Sequence, residues 1–83
     1  MDRRVAMIRE LMRHPDGMTR DELRDFYLEI GEKKHNVGSI VDKVSKTLES
    51  YGVVTVHGNR INYTGKGFTL VEIRDGKEVK VVY

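Results

Sequence analysis

The side chains best suited to chemistry in this sequence are cations, amides and a hydroxyl between residues 33 and 67, and the chemistry they fit is nucleic-acid binding. Lysine and arginine neutralise phosphate oxygens, whereas asparagine and serine hydrogen-bond to base edges. Residues 33–67 carry the basic excess of the chain, and residues 53–67 contain no acid. The candidate contact residues are Lys33, Lys34, His35, Asn36, Ser39, Lys43, Lys46, Asn59, Arg60 and Lys66.

The overall charge balance gives this interpretation little support. The formal net charge is only +2, and the segment at 19–32 is acidic. Acids there fit helix solubility and favourable charge in a first helical turn. The competing interpretation of the lysines is an ordinary solvated surface, because lysine commonly covers exposed helix faces.

Catalytic and metal-binding chemistry lack a recognisable set of residues. The histidines His14, His35 and His57 lie far apart in the sequence, with no carboxylate expected at ligand spacing, and there is no cysteine. The segment at 65–67 is too short for a glycine-rich phosphate loop. We therefore expect no metal, no cofactor and no enzymatic activity.

Length and composition indicate one small domain. The chain has 83 residues, which fits a single domain. No apolar run approaches the roughly 20 residues that span a bilayer, and the charged N-terminus does not fit a signal peptide. We therefore expect a soluble, cytoplasmic protein with no membrane contact and no small-molecule substrate.

The first two helices are predicted from their ends and their apolar spacing. The first covers residues 3–13 and ends before a turn at 14–17. The second begins at a capping box, in which the side chains of Thr19 and Glu22 each accept the other's backbone N–H. The apolar stripes comprise Val5, Ile8, Leu11 and Met12 in the first helix and Leu23, Phe26, Tyr27 and Ile30 in the second.

The third helix is predicted from Asn36, a suitable N-cap, to Tyr51, with Gly52 in the left-handed position that follows a helix. Helical geometry places a polar side opposite its apolar stripe, and this side includes several of the predicted contact residues. The apolar stripe comprises Val37, Ile40, Val41, Val44, Leu48 and Tyr51, and the polar side comprises Ser39, Asp42, Lys43, Lys46 and Ser50.

A period-two pattern after the third helix predicts a hairpin. Residues 53–57 and 60–64 flank Gly58-Asn59, a pair typical of two-residue hairpin turns. Both strands then agree on which face is apolar, which supports this register. The pairs on the apolar face are Val56 with Ile61 and Val54 with Tyr63.

A second hairpin is predicted around Asp75-Gly76, with strands at 68–74 and 77–83, although a bulged turn also fits this pair. With a two-residue turn both faces are apolar. We therefore predict a homodimer through this hairpin or an edge strand that pairs with a partner chain. The alternative is that one face covers the first helix and the other exposes a few valines. One face carries Phe68, Leu70, Val79, Val81 and Tyr83, and the other carries the expected dimer contacts Val71, Ile73 and Val82.

Residues 1–67 resemble a winged helix-turn-helix DNA-binding domain of the kind found in small bacterial, archaeal and viral regulators. The segment Thr19-Arg20-Asp21-Glu22-Leu23 resembles the start of the positioning helix, and residues 37–51 resemble the recognition helix. Residues 48–54 resemble the entry to the wing, and residues 63–67 resemble its close. The chain departs from many such regulators at 68–83, where a second hairpin replaces a dimerising helix.

The resemblance implies an α+β winged helix in a single domain at 1–83. Its parts are a three-helix core at 1–52, a wing at 53–67 and a C-terminal hairpin at 68–83. It also implies a transcriptional regulator that inserts its third helix into the major groove of double-stranded DNA, with the wing at flanking backbone or minor groove. The alternative function is that of a winged-helix protein–protein interaction module within a larger assembly.

Overall fold

The fold is α+β, with three helices followed by two antiparallel hairpins in a winged-helix-like arrangement, which confirms the predicted fold class. The computed structural model describes residues 2–82. Among these residues, none of the helices combines the length and the hydropathy of a membrane-spanning segment. The elements are α1 (Arg3–Met12), β1 (Met18–Thr19), α2 (Arg20–Glu29), α3 (Lys34–Ser50), β2 (Val54–His57), β3 (Arg60–Tyr63), β4 (Thr69–Arg74) and β5 (Lys77–Val82).

The starts of α1 and α2 are stabilised by side chains that accept free backbone N–H groups. The Asp2 carboxylate accepts the Arg4 N–H at 2.8 Å, and the Arg4 guanidinium, which donates to the same carboxylate, lowers the pKa of Asp2. The predicted capping box is confirmed. Thr19 Oγ1 accepts the Glu22 N–H at 3.2 Å, and Glu22 Oε1 accepts the Thr19 N–H at 2.9 Å. The Thr19 N–H lowers the pKa of the Glu22 carboxyl, because it stabilises the charged form.

The start of α3 differs from the prediction. The helix begins at Lys34, and its N-cap is Lys33, which is extended and makes no side-chain capping bond. Asn36 therefore lies inside the first turn, where its N–H donates to the Lys33 carbonyl at 2.8 Å. The prediction of Asn36 as the N-cap was wrong because the chain turns into the helix three residues earlier.

The core lies between the three helices and one face of the first sheet. Leu23, Tyr27 and Val41 are fully buried at its centre. The Tyr27 hydroxyl donates to the Arg3 carbonyl at 2.6 Å, so its polar atom is satisfied. Burial also raises the pKa of Tyr27.

Three residues predicted on apolar stripes are exposed instead. Met12, Ile30 and Tyr51 have relative exposures of 60%, 49% and 57%. Ile30 and Tyr51 are the C-caps of α2 and α3, where the chain leaves the helix. Met12 is the last residue of α1. The helical spacing was therefore extended past the end of α2 and of α3, and in α1 it included a terminal residue that does not reach the core.

The first hairpin has the predicted register and belongs to a sheet of three strands. β2 pairs with β3 so that Val56 lies opposite Ile61 and Val54 opposite Tyr63. The third strand, β1, was not predicted, and it adds to the other side of β3. Gly17, directly before β1, has a φ of +83°, and a Cβ there would lie 2.7 Å from the Ile61 carbonyl oxygen.

The second hairpin also has the register predicted for a two-residue turn, without a bulge. Asp75 and Gly76 have φ values of 51° and 74°, which fit the left-handed turn that matches strand twist. Leu70 is buried on the inner face and Phe68 packs against the core. Tyr83 lies outside the described residues. On the outer face, Val71, Ile73 and Val82 are 59%, 68% and 76% exposed.

Candidate nucleic-acid interface

The outer side of α3 carries a row of exposed polar side chains. Helical geometry places His35, Ser39, Lys43 and Lys46 on the side opposite the buried residues of this helix. Neither Lys43 nor Lys46 forms an ion pair with any carboxylate of residues 2–82. Their ammonium groups are therefore available to a ligand. We call His35, Ser39, Lys43 and Lys46 the α3 face.

The N-terminal end of α3 extends the α3 face. Lys33 and Lys34 are exposed there, and Asn36 is half-buried. Because no side chain caps this end, the N–H groups of Lys34 and His35 remain available to an anion, whereas that of Asn36 donates to the Lys33 carbonyl. A shallow groove of about 250 Å³ between α1 and α3 brings Arg3 beside Asn36 and the α3 face. The Arg3 guanidinium also pairs with Glu32 at 2.7 Å.

Two acids, Asp42 and Glu49, interrupt the positive charge along α3. Asp42 borders the α3 face, and its carboxylate lies 3.6 Å from the Arg20 guanidinium. Arg20 also donates from its guanidinium to the Gly58 carbonyl, and from its backbone N–H to the Asn59 carbonyl at 3.0 Å. Arg20 therefore connects α2 with both α3 and the tip of the first hairpin.

Arg24 is a cation near this surface that the sequence analysis missed. It projects from α2 across α3, where its Nε lies 3.7 Å from the position that a Cβ of Gly38 would occupy. It pairs with Asp21 at 2.7 Å. Arg20, Arg24 and Lys46 line one groove of about 420 Å³. The sequence signal for this contact was Gly38, because a glycine inside a helix leaves room for a side chain from a neighbouring element.

The predicted cations of the wing have partners within the chain. Arg60 donates to the Asp16 carbonyl at 3.0 Å, which directs it toward the turn before β1. Lys66 donates to the Tyr51 carbonyl at 3.1 Å and so caps the C-terminal end of α3. Asn59 is exposed at the tip of the hairpin. The structure thus brings the α3 residues together, whereas Arg60 and Lys66 stabilise neighbouring backbone.

The histidines lie apart from one another and from any cluster of metal-binding side chains. Among residues 2–82, no group of three or more histidines, cysteines or acids is arranged to hold a metal ion. His35 and His57 are exposed. His14, by contrast, does have a carboxylate partner, because Glu10 lies one helical turn earlier at 3.1 Å. The prediction that no histidine has a nearby carboxylate was wrong at this position.

Fold and surface together define a small winged-helix-like α+β domain with a cationic helix face. Comparison with protein families, with curated proteins and with solved structures finds no match to this chain. The geometry and charge of this surface are therefore the basis on which a function can be assigned.

Proposed function

We propose that this protein binds duplex DNA by inserting α3 into the major groove. The observation that carries the proposal is the pair of unpartnered lysines, Lys43 and Lys46, one helical turn apart on the outer side of a helix. A helix about 10 Å wide fits the major groove, and its lysines then neutralise phosphates on the groove walls.

The N-terminal part of α3 is the best candidate for reading bases. In helix-turn-helix proteins the first residues of the recognition helix meet base edges. His35, Asn36 and Ser39 occupy this part, and each carries a side chain that can donate or accept a hydrogen bond. Lys33 and Lys34, just before them, suit phosphate contacts. The role in transcriptional regulation that the resemblance implies is part of this proposal.

Salt-dependent binding tests the proposal. Fluorescence anisotropy with a labelled random duplex, repeated from about 50 to 200 mM salt, gives the slope of log affinity against log salt. We expect Lys43→Ala and Lys46→Ala each to reduce that slope by about 0.9, because each removes one phosphate contact. Lys77→Ala makes the same charge change on the second hairpin and should leave the slope unchanged.

The acid beside the α3 face gives an opposite test. Asp42→Asn removes a negative charge that faces the phosphates and releases Arg20 from its ion pair. We therefore expect tighter duplex binding and a steeper salt slope. The proposal fails if wild-type protein shows no duplex binding at low salt, or if the two lysine variants behave like Lys77→Ala.

A second candidate function is that of a protein–protein interaction module within a larger assembly. The observation that favours it is the exposed apolar group of Val71, Ile73 and Val82 on one hairpin face. In that case a partner would be bound equally by wild type and by the lysine variants. Substitution of Ile73 by aspartate would abolish partner binding while leaving any DNA binding intact.

A further inference from the structure

The second hairpin offers one unobstructed strand edge. Within residues 2–82, β4 and β5 pair only with each other, so neither outer edge of this sheet is hydrogen-bonded to another strand. The edge of β4 borders a groove of about 600 Å³, where Thr69 to Val71 lie beside Arg4, Ser50 and Tyr51. The body of the domain therefore obstructs a strand approaching β4, whereas β5 lies on the far side.

The backbone groups that β5 presents at this edge follow from its register. In a hairpin closed by a two-residue turn, the pair next to the turn exchanges two hydrogen bonds, and every second pair does the same. Lys77 pairs with Arg74 in that position, and Val79 pairs with Glu72 two residues on. Leu70 pairs with Val81 in the same way. The N–H and C=O groups of the alternate residues, Glu78 and Lys80, therefore point outward to the free edge.

The side chains of these outward-bonding residues have opposite charges. Glu78 and Lys80 lie on the same face of β5, because side chains alternate along a strand. Their spacing makes the strand complementary to an antiparallel copy of itself. If Val79 lies opposite Val79 of a second copy, Glu78 of each strand lies opposite Lys80 of the other.

We propose that β5 pairs with β5 of a second copy of this chain, antiparallel about a two-fold axis at Val79. The two hairpins then form a four-stranded sheet in the order β4-β5-β5-β4. Each Glu78–Lys80 pair exchanges two backbone hydrogen bonds and forms a cross-strand ion pair. The proposal does not rest on DNA binding, although a dimer would present two copies of α3.

Charge selects this register over its neighbours. A shift that centres the axis on Lys80 places two lysines directly opposite each other, and one centred on Glu78 does the same with two glutamates. Like charges directly opposite destabilise a strand pair. Charged edge strands also resist pairing with unrelated strands, so the same residues favour one partner and disfavour others.

Charge reversal provides a test in the absence of DNA. One strand pair is a small interface, so we expect a weak dimer, measured by sedimentation equilibrium from about 10 μM to about 1 mM protein. Glu78→Lys and Lys80→Glu should each weaken dimerisation by at least about tenfold, because both attractive pairs become repulsive. An equimolar mixture of the two variants should recover the dimer, since each strand then meets its opposite charges.

Lys77→Glu is the matched control. It changes the net charge as Lys80→Glu does, but in the proposed register residue 77 lies opposite Val81 and should leave dimerisation unchanged. The proposal is overturned if wild type remains monomeric to about 1 mM, if Lys77→Glu weakens the dimer as much as Lys80→Glu, or if mixing the two reversed variants restores nothing. Circular dichroism of each variant confirms that the fold is intact.

Discussion

The two hairpins of this chain are built alike and anchored differently. Both are closed by two-residue turns and both have a regular register. The first has the shorter strands, yet it buries Val54 and Ile61 completely and gains β1 as a third strand. The second has longer strands, yet Leu70 is the one residue buried among its described strand positions.

The first hairpin is anchored by contacts with segments that lie far from it in the sequence. Arg60 reaches the carbonyl of Asp16, 44 residues earlier, and Arg20 reaches the carbonyl of Gly58, 38 residues later. Within residues 2–82, β4 and β5 form a separate two-stranded sheet and pair only with each other. Turn chemistry and alternation therefore determine register, whereas contacts with remote segments determine whether a hairpin joins the core.

Truncation of one isoleucine in each hairpin should give the largest contrast. Ile61 is 0% exposed and Ile73 is 68% exposed. We expect Ile61→Ala to lower the free energy of unfolding by about 3 to 4 kcal/mol, through lost burial and a cavity, and Ile73→Ala by less than about 0.5 kcal/mol. Urea unfolding followed by circular dichroism measures both. Equal losses would show that the two hairpins are equally integrated.

Glycine substitution tests the backbone contacts of each hairpin. Gly17 and Gly76 have similar positive φ values, but only at Gly17 does a new Cβ meet backbone, at 2.7 Å from the Ile61 carbonyl oxygen. Gly17→Ala should therefore cost about 2 to 3 kcal/mol, and Gly76→Ala about 1 kcal/mol for its conformation alone. Thermal unfolding compares the two. A larger loss at Gly76 would contradict the assigned anchoring.

Removal of a hydroxyl should have a smaller effect. The hydroxyl oxygen of Thr64, at the end of the first hairpin, lies 2.8 Å from the Gly52 carbonyl oxygen and 2.9 Å from that of Val53. Thr64→Val should lower the free energy of unfolding by about 1 kcal/mol, because the Gly52 carbonyl loses its donor, whereas the Val53 carbonyl keeps the Thr64 N–H. The exposed Thr69 of the second hairpin is the matched position, where Thr69→Val should change stability by less than about 0.5 kcal/mol.

Acid should weaken the anchoring of the first hairpin through Glu22. Its carboxylate holds the backbone N–H of Thr19, a residue of β1, and this bond lowers the pKa of Glu22 in the folded protein. The stabilisation is therefore present above the pKa of the unfolded chain and is lost as pH falls through the folded value. We expect Glu22→Gln to flatten the decline of the melting temperature in acid. An unchanged decline would exclude this contribution.

The sequence allows prediction of those features of the fold that depend on local pattern. Alternation around Gly58 and Asp75 gives both registers, and the spacing of Thr19 and Glu22 gives the capping box. β1 could not be predicted, because two residues carry no periodicity and its partner lies far along the chain. The exposed C-caps Ile30 and Tyr51 show the same limit, since helical spacing does not mark where a helix ends.

Local pattern also gives the placement of the candidate side chains on α3, but it misses the internal contacts of the wing cations. A helical wheel is a local argument, and it places Lys43 and Lys46 on an exposed side, as the structure has them. The internal contacts of Arg60 and Lys66 depend on carbonyls of other segments. Composition alone does not distinguish a cation that is available to a ligand from one that donates to a backbone carbonyl within the chain.

The position of β1 in the chain has a consequence for biosynthesis. Met18 and Thr19 leave the ribosome before α2 and α3, whereas their partners Ile61 and Arg60 follow only after both helices have emerged. Pairing across such a sequence separation is slow to form, because a long loop must close first. A nascent chain that ends before β3 therefore has helices without a finished sheet, and this sheet is completed only when β3 emerges.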